Sequence, residues 1–195
     1  TPITAMRINI EFVNDADLRD RLEHNLAELQ ELTESVLSAA RGAGGEPKRH
    51  VDLAALIESL CADLDDMGKP VTWHPRDPAP LTCRPNEIRR ALRNLIENAI
   101  AYGREAAVSI NDVAGGYEVI VEDKGPGIPE ADRQRVFEPF VRLESSRNAE
   151  TGGTGLGLTL VKAIVAGHDG TVTLENRVEG GLRVRIHLPI PAPTP

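Results

Sequence analysis

Gly152-Gly153-Thr154-Gly155-Leu156-Gly157-Leu158 runs directly into an apolar stretch, Leu158-Thr159-Leu160-Val161, that reads as a helix over about 156–167. Side chains without a Cβ leave successive backbone N–H groups open, and the helix N-terminus adds its dipole. Together they form a cradle for an anion. No Lys stands at the Walker position, so this is not a P-loop. G-x-G-x-x-G after a strand is absent, which removes the dinucleotide fingerprint. H-E-x-x-H and G-x-S-x-G are also absent, so the common metalloprotease and hydrolase arrangements are excluded.

Three further segments precede the cradle. Asn94-Leu95-Ile96-Glu97-Asn98-Ala99 lies on a strongly periodic stretch, 86–102, whose inward face is Ile88, Leu92, Leu95, Ile96 and Ala99. Asn94 and Asn98 are four apart and share one face, so two amides project together. An amide oxygen is a suitable hard ligand for Mg²⁺, which retains waters and phosphate oxygens besides. The plain alternative is two amides satisfied by local backbone. Val121-Glu122-Asp123-Lys124-Gly125-Pro126-Gly127-Ile128 brings a carboxylate off an apolar strand into a Gly-Pro-Gly turn. Asp123 can accept from an exocyclic amine, and the glycines let a flat ligand approach; an ordinary Asp-capped turn is the alternative. Val136-Phe137-Glu138-Pro139-Phe140-Val141-Arg142, followed by Arg147, suits a lid, and either Arg can meet phosphate.

The remainder organises around these segments. Ile3, Met6, Ile10 and Val13 follow helix spacing, Asn14-Asp15-Ala16-Asp17 is a turn with acidic N-cap candidates, and a second helix covers about 16–41. Its stripe, Leu22, Leu26, Leu29, Thr33, Val36 and Ala40, averages the 3.5-residue coiled-coil period. Two such helices form a hairpin that buries its second side against another copy or against its own globular domain. Gly42 to Pro47 reads as a linker. A helix over 53–66 follows, then strands near 71–73, 81–83, 106–111, 117–122, 171–176 and 182–188. Residues 124–154 read as a long mobile segment. Helices and strands without strict β-α-β alternation predict an α+β fold, a mixed sheet covered by helices on one face. The domains are 1–45 for the hairpin, 46–190 for the globular part and 191–195 for a frayed tail.

Composition narrows the function. The 195 residues carry 22 Lys and Arg against 30 Asp and Glu, a formal charge of −8, which argues against direct nucleic-acid binding. Aromatics at 3% leave too few rings for a single-strand stacking platform. No apolar run approaches the ~20 residues of a membrane span, so no membrane contact by these residues is expected. Cys61 and Cys83 fit no metal spacing and read as two reduced core thiols of a cytoplasmic chain. His24 falls off the Leu22–Leu26 seam, and His168, before Asp169-Gly170, reads as a C-terminal cap.

In this order and spacing, the four segments resemble the N, G1, F and G2 boxes of sensor histidine kinases, on the Bergerat ATP-binding fold shared with gyrase, the Hsp90 chaperones and MutL. The resemblance covers nearly the whole chain and implies a two-layer α/β sandwich behind the hairpin of a dimeric four-helix bundle. Asn98-Ala99-Ile100-Ala101-Tyr102-Gly103, Pro139-Phe140-Val141-Arg142 and Gly180-Gly181-Leu182 look closest to the EnvZ osmosensor subgroup. The resemblance implies Mg²⁺ at Asn98 with Asn94 beside it, and the adenine amino group at Asp123. It implies a base pocket from Ala101, Tyr102, Gly103, Gly125, Gly127 and Ile128, with Arg142 near the phosphates. Gly153, Thr154, Gly155, Leu156, Gly157 and Leu158 would cradle those phosphates. Thr1-Pro2-Ile3-Thr4 looks like the end of an H box, which places the phospho-accepting His four residues before Thr1 and gives Thr1 a role in regulator dephosphorylation. The implied cofactors are ATP and Mg²⁺. The implied partners are an OmpR-like response regulator and a second copy of the chain, in a parent anchored in the inner membrane. Ala101 stands where many relatives carry Lys or Arg, and Leu182 where many carry Thr. A gyrase-type ATPase clamp is the alternative, but Asn94 occupies the position of its glutamate base. A nucleotide-free scaffold would not need Asn98, Asp123 and the glycines together.

Overall fold

The computed structural model describes residues 10, 12, 13, 15, 18, 19, 22, 26, 46–143 and 155–190. The chain divides into the units Thr1–Gly45 and Glu46–Pro195. In the first, Asp15 Oδ1 accepts the Leu18 N–H at 3.1 Å, the contact an acidic N-cap makes. Leu18, Arg19, Leu22 and Leu26 have helical backbone, and Ile10 and Leu26 are buried. The rest of the expected hairpin and of its seam, Thr1 and the tail 191–195 lie outside the described residues.

The second unit begins with strand β1, Arg49–Asp52. Asp52 ends it and caps helix α1, Leu53–Asp66, its Oδ1 accepting from Ala54 N–H at 3.0 Å and from Ala79 N–H at 2.8 Å. These N–H groups, Ala79 first, hold the Asp52 carboxyl below its ordinary 3.8 despite burial. Strand β2, Val71–Trp73, and strand β3, Pro80–Cys83, follow. Helix α2, Pro85–Gly103, starts with Pro in its first turn, where the missing N–H has no intrahelical partner to lose. Strands β4, Ala106–Val113, and β5, Gly116–Glu122, form a hairpin turning at Gly115, whose φ is +80°. Helix α3, Gly157–Ala166, and strands β6, Thr171–Asn176, and β7, Leu182–Pro189, complete the unit.

The main sheet has the order β2-β4-β5-β7-β6, parallel only between β2 and β4; β1 and β3 form a separate antiparallel ribbon. Across the central strands Val108 lies opposite Val121 and Val121 opposite Val184, while Val119 lies opposite Ile186. Side chains alternate along a strand, so these five residues and Leu188 share one face of the sheet. All six are buried. They belong to one core with Ile57, Leu60 and Leu64 of α1, Leu92, Leu95 and Ile96 of α2, and Leu160, Val161 and Ile164 of α3. Each such side chain contributes about 1.5–3 kcal/mol by leaving water. The fold is the expected α+β arrangement of a mixed sheet and covering helices.

Two expectations change. β1 is a strand that the sequence reading leaves out, because Arg49 and His50 are exposed and the ribbon buries too little to show alternation. The stretch 124–143, read as mobile, contains 3₁₀ turns at Glu130–Asp132 and Arg135–Phe137. The second is held on α3, where Thr159 Oγ1 donates to the Phe137 carbonyl at 3.0 Å and the Lys162 ammonium lies 5.4 Å from the Phe137 ring centroid. Residues 144–154 lie outside the described residues. Cys61 and Cys83 are buried free thiols, each pushed up to about 11 by burial, which leaves them unreactive as nucleophiles.

His168 is 6% exposed. Its Nδ1 lies 2.8 Å from the Ile164 carbonyl, so the ring caps the last turn of α3 as expected. Burial, with the Arg84 and Lys48 charges, lowers its pKa from 6.5 against the opposing pull of the Ile164 carbonyl and Glu87. Below 6.5 the unfolded chain takes up a proton that the folded ring resists. The stability contributed by neutral His168 is therefore complete above 6.5 and lost as the pH falls through the folded value. Between pH 7.5 and 5.5 this loss is at most on the order of 1 kcal/mol. Denaturant melts at both pH values should show it in the native chain and not in His168→Gln.

Candidate nucleotide-binding site

Asp123 leaves the end of β5 and is 7% exposed. Its Oδ1 accepts the Gly125 N–H at 2.7 Å and the Leu182 N–H at 3.1 Å. Its backbone is fixed as well, by its own N–H to the Leu182 carbonyl at 3.0 Å and by Arg177 Nη1 on its carbonyl at 2.9 Å. Among the described residues Oδ2 accepts no hydrogen bond. One carboxylate oxygen is thus used to hold the group and the other remains for an external donor. Burial raises the Asp123 pKa from 3.8, and the two N–H groups and Arg177 pull the other way.

The glycines around Asp123 serve its confinement. A Cβ at Gly103 would overlap the Asp123 side chain, one at Gly125 would lie 2.7 Å from the Tyr102 carbonyl, and one at Gly181 would overlap the Asp123 carbonyl. Gly103 also explains the end of α2. The left-handed residue that terminates a helix is usually glycine, yet here it is Arg104, at φ +66°. Glycine sits one position earlier, where the backbone packs against Asp123. The sequence reading assigns Gly125 and Gly127 to ligand approach; both are also pressed by the protein's own atoms. Gly127, at φ +71°, faces Asn176, whose side chain bridges the Ile128 backbone by accepting its N–H at 2.9 Å and donating to its carbonyl at 3.0 Å. Tyr102 is 39% exposed, and Ala101 beside it is exposed.

The other end of the site lies between α2 and α3. Both half-buried amides face the first residue of α3: a Cβ at Gly157 would stand 3.2 Å from Asn94 Oδ1 and 3.7 Å from Asn98 Nδ2. Asn94 Nδ2 also donates to the Arg90 carbonyl at 3.0 Å, so the local-backbone alternative holds for one of its atoms. Leu156, the residue before α3, makes no side-chain cap, and the dipole at the helix start favours an anion. Gly155, at φ +73°, accepts the Phe140 N–H at 3.1 Å and so brings the 140–142 stretch beside this helix start. Arg142 is half-buried and Phe140 is 63% exposed. Gly153 and Thr154 lie outside the described residues. Among the described residues no cluster of three His, Cys, Asp or Glu side chains is placed to hold a metal, and no helix is long and apolar enough to cross a membrane. Sequence reasoning missed Asn176, Arg177 and the role of Gly181. Each acts on a segment about fifty residues away, and no local spacing announces such a contact.

Residues 83–192 match the family of histidine kinase-, DNA gyrase B- and HSP90-like ATPases. Sensor histidine kinase GtrS of Pseudomonas aeruginosa is 36% identical over 191 residues, 97% of this chain and 39% of GtrS, so the chain spans about two fifths of that relative. The crystal structure of the ATP-binding domain of PrrB from Mycobacterium tuberculosis superposes with a TM-score of 0.62 at 30% identity, covering 75% of this chain and all of that one. The histidine kinase domain of the E. coli osmosensor EnvZ superposes with a TM-score of 0.58 at 33% identity, covering 78% of this chain and 95% of that one. The similar identities single out no subgroup. With the mixed sheet, the confined Asp123 and the amides facing α3, these matches place the chain in the histidine kinase-, DNA gyrase B- and HSP90-like ATPase family, as the ATP-binding catalytic core of a sensor histidine kinase.

Proposed function

We propose that this core binds ATP with its adenine amino group on Asp123 Oδ2 and its phosphates at the start of α3, and passes the γ-phosphoryl group to a histidine. The observation that carries the reading is that one helix, α2, serves both ends: Gly103 packs on Asp123, while Asn94 and Asn98 face Gly157. Tyr102, Gly125, Gly127 and Ile128 border the base, Ala101 adds no charge, and Arg142 reaches the phosphates from the loop held at Gly155. Asn98, with Asn94 beside it, suits Mg²⁺ through amide oxygen. Bound there, the ion would neutralise charge on the triphosphate. The residues Gly153 to Leu158 supply N–H donors to the same charge.

Asn94 favours transfer over hydrolysis, because an amide cannot take a proton from water as the glutamate of a gyrase-type clamp does. The remaining assignments rest on resemblance: an acceptor His four residues before Thr1, a dephosphorylation role for Thr1, an OmpR-like regulator, a homodimer through 1–45, a membrane-anchored parent and an EnvZ-like subgroup. Calorimetric titration of ATP with Mg²⁺ and with EDTA tests the site. Affinity should rise with Mg²⁺ in the native chain, and Asn98→Ala should erase that increment. An equal increment in Asn98→Ala would remove the metal assignment.

A further inference from the structure

Where α2 begins and α3 ends, the two helices are joined through one buried imidazole. His168 Nε2 accepts the Arg84 backbone N–H at 3.0 Å, and Nδ1 faces the Ile164 carbonyl at 2.8 Å. Arg84 precedes α2 and makes no side-chain cap of its own. Its guanidinium returns the contact, with Nη1 donating to the Gly167 carbonyl at 3.1 Å. Only the neutral ring with its proton on Nδ1 can donate to Ile164 and accept from Arg84 together. A second proton would set N–H against N–H beside the Arg84 guanidinium. The charged groups around the ring are Arg84 just before α2, Glu87 in its first turn, and Lys48 before β1, which pairs with the exposed Asp169 at 4.0 Å. About three turns along each helix, Asn94 and Asn98 meet Gly157.

We propose that His168 is a positioning residue for the phosphate end of the nucleotide site: as a neutral ring it sets the register of α2 against α3, and so the approach of Asn94 and Asn98 to the first turn of α3. The inference rests on the ATP-binding reading above. It separates the two ends of the nucleotide, because the hydrogen bonds that hold Asp123 come from β7, Arg177 and the 125 turn, and α2 meets it only through packing at its far end, Gly103.

The test compares His168→Leu, which removes the acceptor and leaves the Arg84 N–H unpaired, with His168→Gln, whose amide oxygen can accept it without titrating. ATP with Mg²⁺ and adenosine are titrated into each full chain at pH 7.5 and 5.5. His168→Leu should weaken ATP about tenfold, within the range by which a substitution that touches no ligand alters coupling to a site, and leave adenosine within twofold. His168→Gln should restore ATP to within threefold at pH 7.5, and its affinity should fall less than that of the native chain at pH 5.5. Equal weakening of ATP and adenosine, or an ATP affinity indifferent to both substitutions, would overturn the proposal. If His168→Leu does not fold, the pH comparison between His168→Gln and the native chain decides alone. Asp123→Asn is titrated alongside: no effect there would count against the nucleotide reading itself, whereas an effect there with none at His168 would remove only the positioning role.

Discussion

Gly181→Ala is expected to abolish measurable ATP binding and to destabilise the unit Glu46–Pro195 by on the order of 3 kcal/mol, combining backbone strain with a forced overlap. The new Cβ would overlap the Asp123 carbonyl, at a residue whose φ is +99°. Gly180→Ala supplies the control. Gly180 has a similar φ of +94° but nothing within 4 Å of a Cβ, so it should cost about 1 kcal/mol from strain alone and keep ATP binding. Denaturant melts and ATP titrations of the two variants separate the effects. Equal losses in both would mean that turn geometry, and not contact with Asp123, explains Gly181.

Extending the chain by His-Asp-Leu-Arg ahead of Thr1 should produce an acid-labile, base-stable phosphate on incubation with γ-labelled ATP and Mg²⁺. Phosphoryl transfer needs an in-line nucleophile close to the γ-phosphate, and the proposed H-box alignment sets that His four residues ahead of Thr1. Asn98→Ala in the extended chain should reduce labelling to background. Label on the unextended chain would show a different acceptor and a wrong H-box alignment. ATP hydrolysis by the extended chain without phosphohistidine would favour the clamp-type reading despite Asn94.

Much of the fold and half of the site are legible in the sequence because the strong signals are local. The α2 face of Ile88, Leu92, Leu95, Ile96 and Ala99 is buried as its period predicts. Asn94 and Asn98 share a face because helix geometry leaves no choice. Asp15 caps where an acidic turn residue should. Contacts that close the chain on itself are not legible. Nothing near Gly181 in sequence says that it presses on Asp123, and nothing near His168 says that the N–H it accepts belongs to Arg84. The β1 strand escapes for a different reason: a two-stranded ribbon with exposed Arg49 and His50 carries no alternating pattern. The segment 124–143 misleads because Gly, Pro and charge mark loops without showing whether they are packed.

ATP recognition turns on the role proposed for Asp123 as acceptor of the adenine amino group, held by Oδ1 and open at Oδ2. Its most direct test is the calorimetric affinity of Asp123→Asn for ATP beside that of the native chain. An amide in place of the carboxylate removes a charge-assisted acceptor worth about 1.5–3 kcal/mol, roughly a tenfold to hundredfold loss. A loss in that range, in a variant that melts like the native chain, is the predicted result. Unchanged affinity would remove Asp123 from adenine recognition.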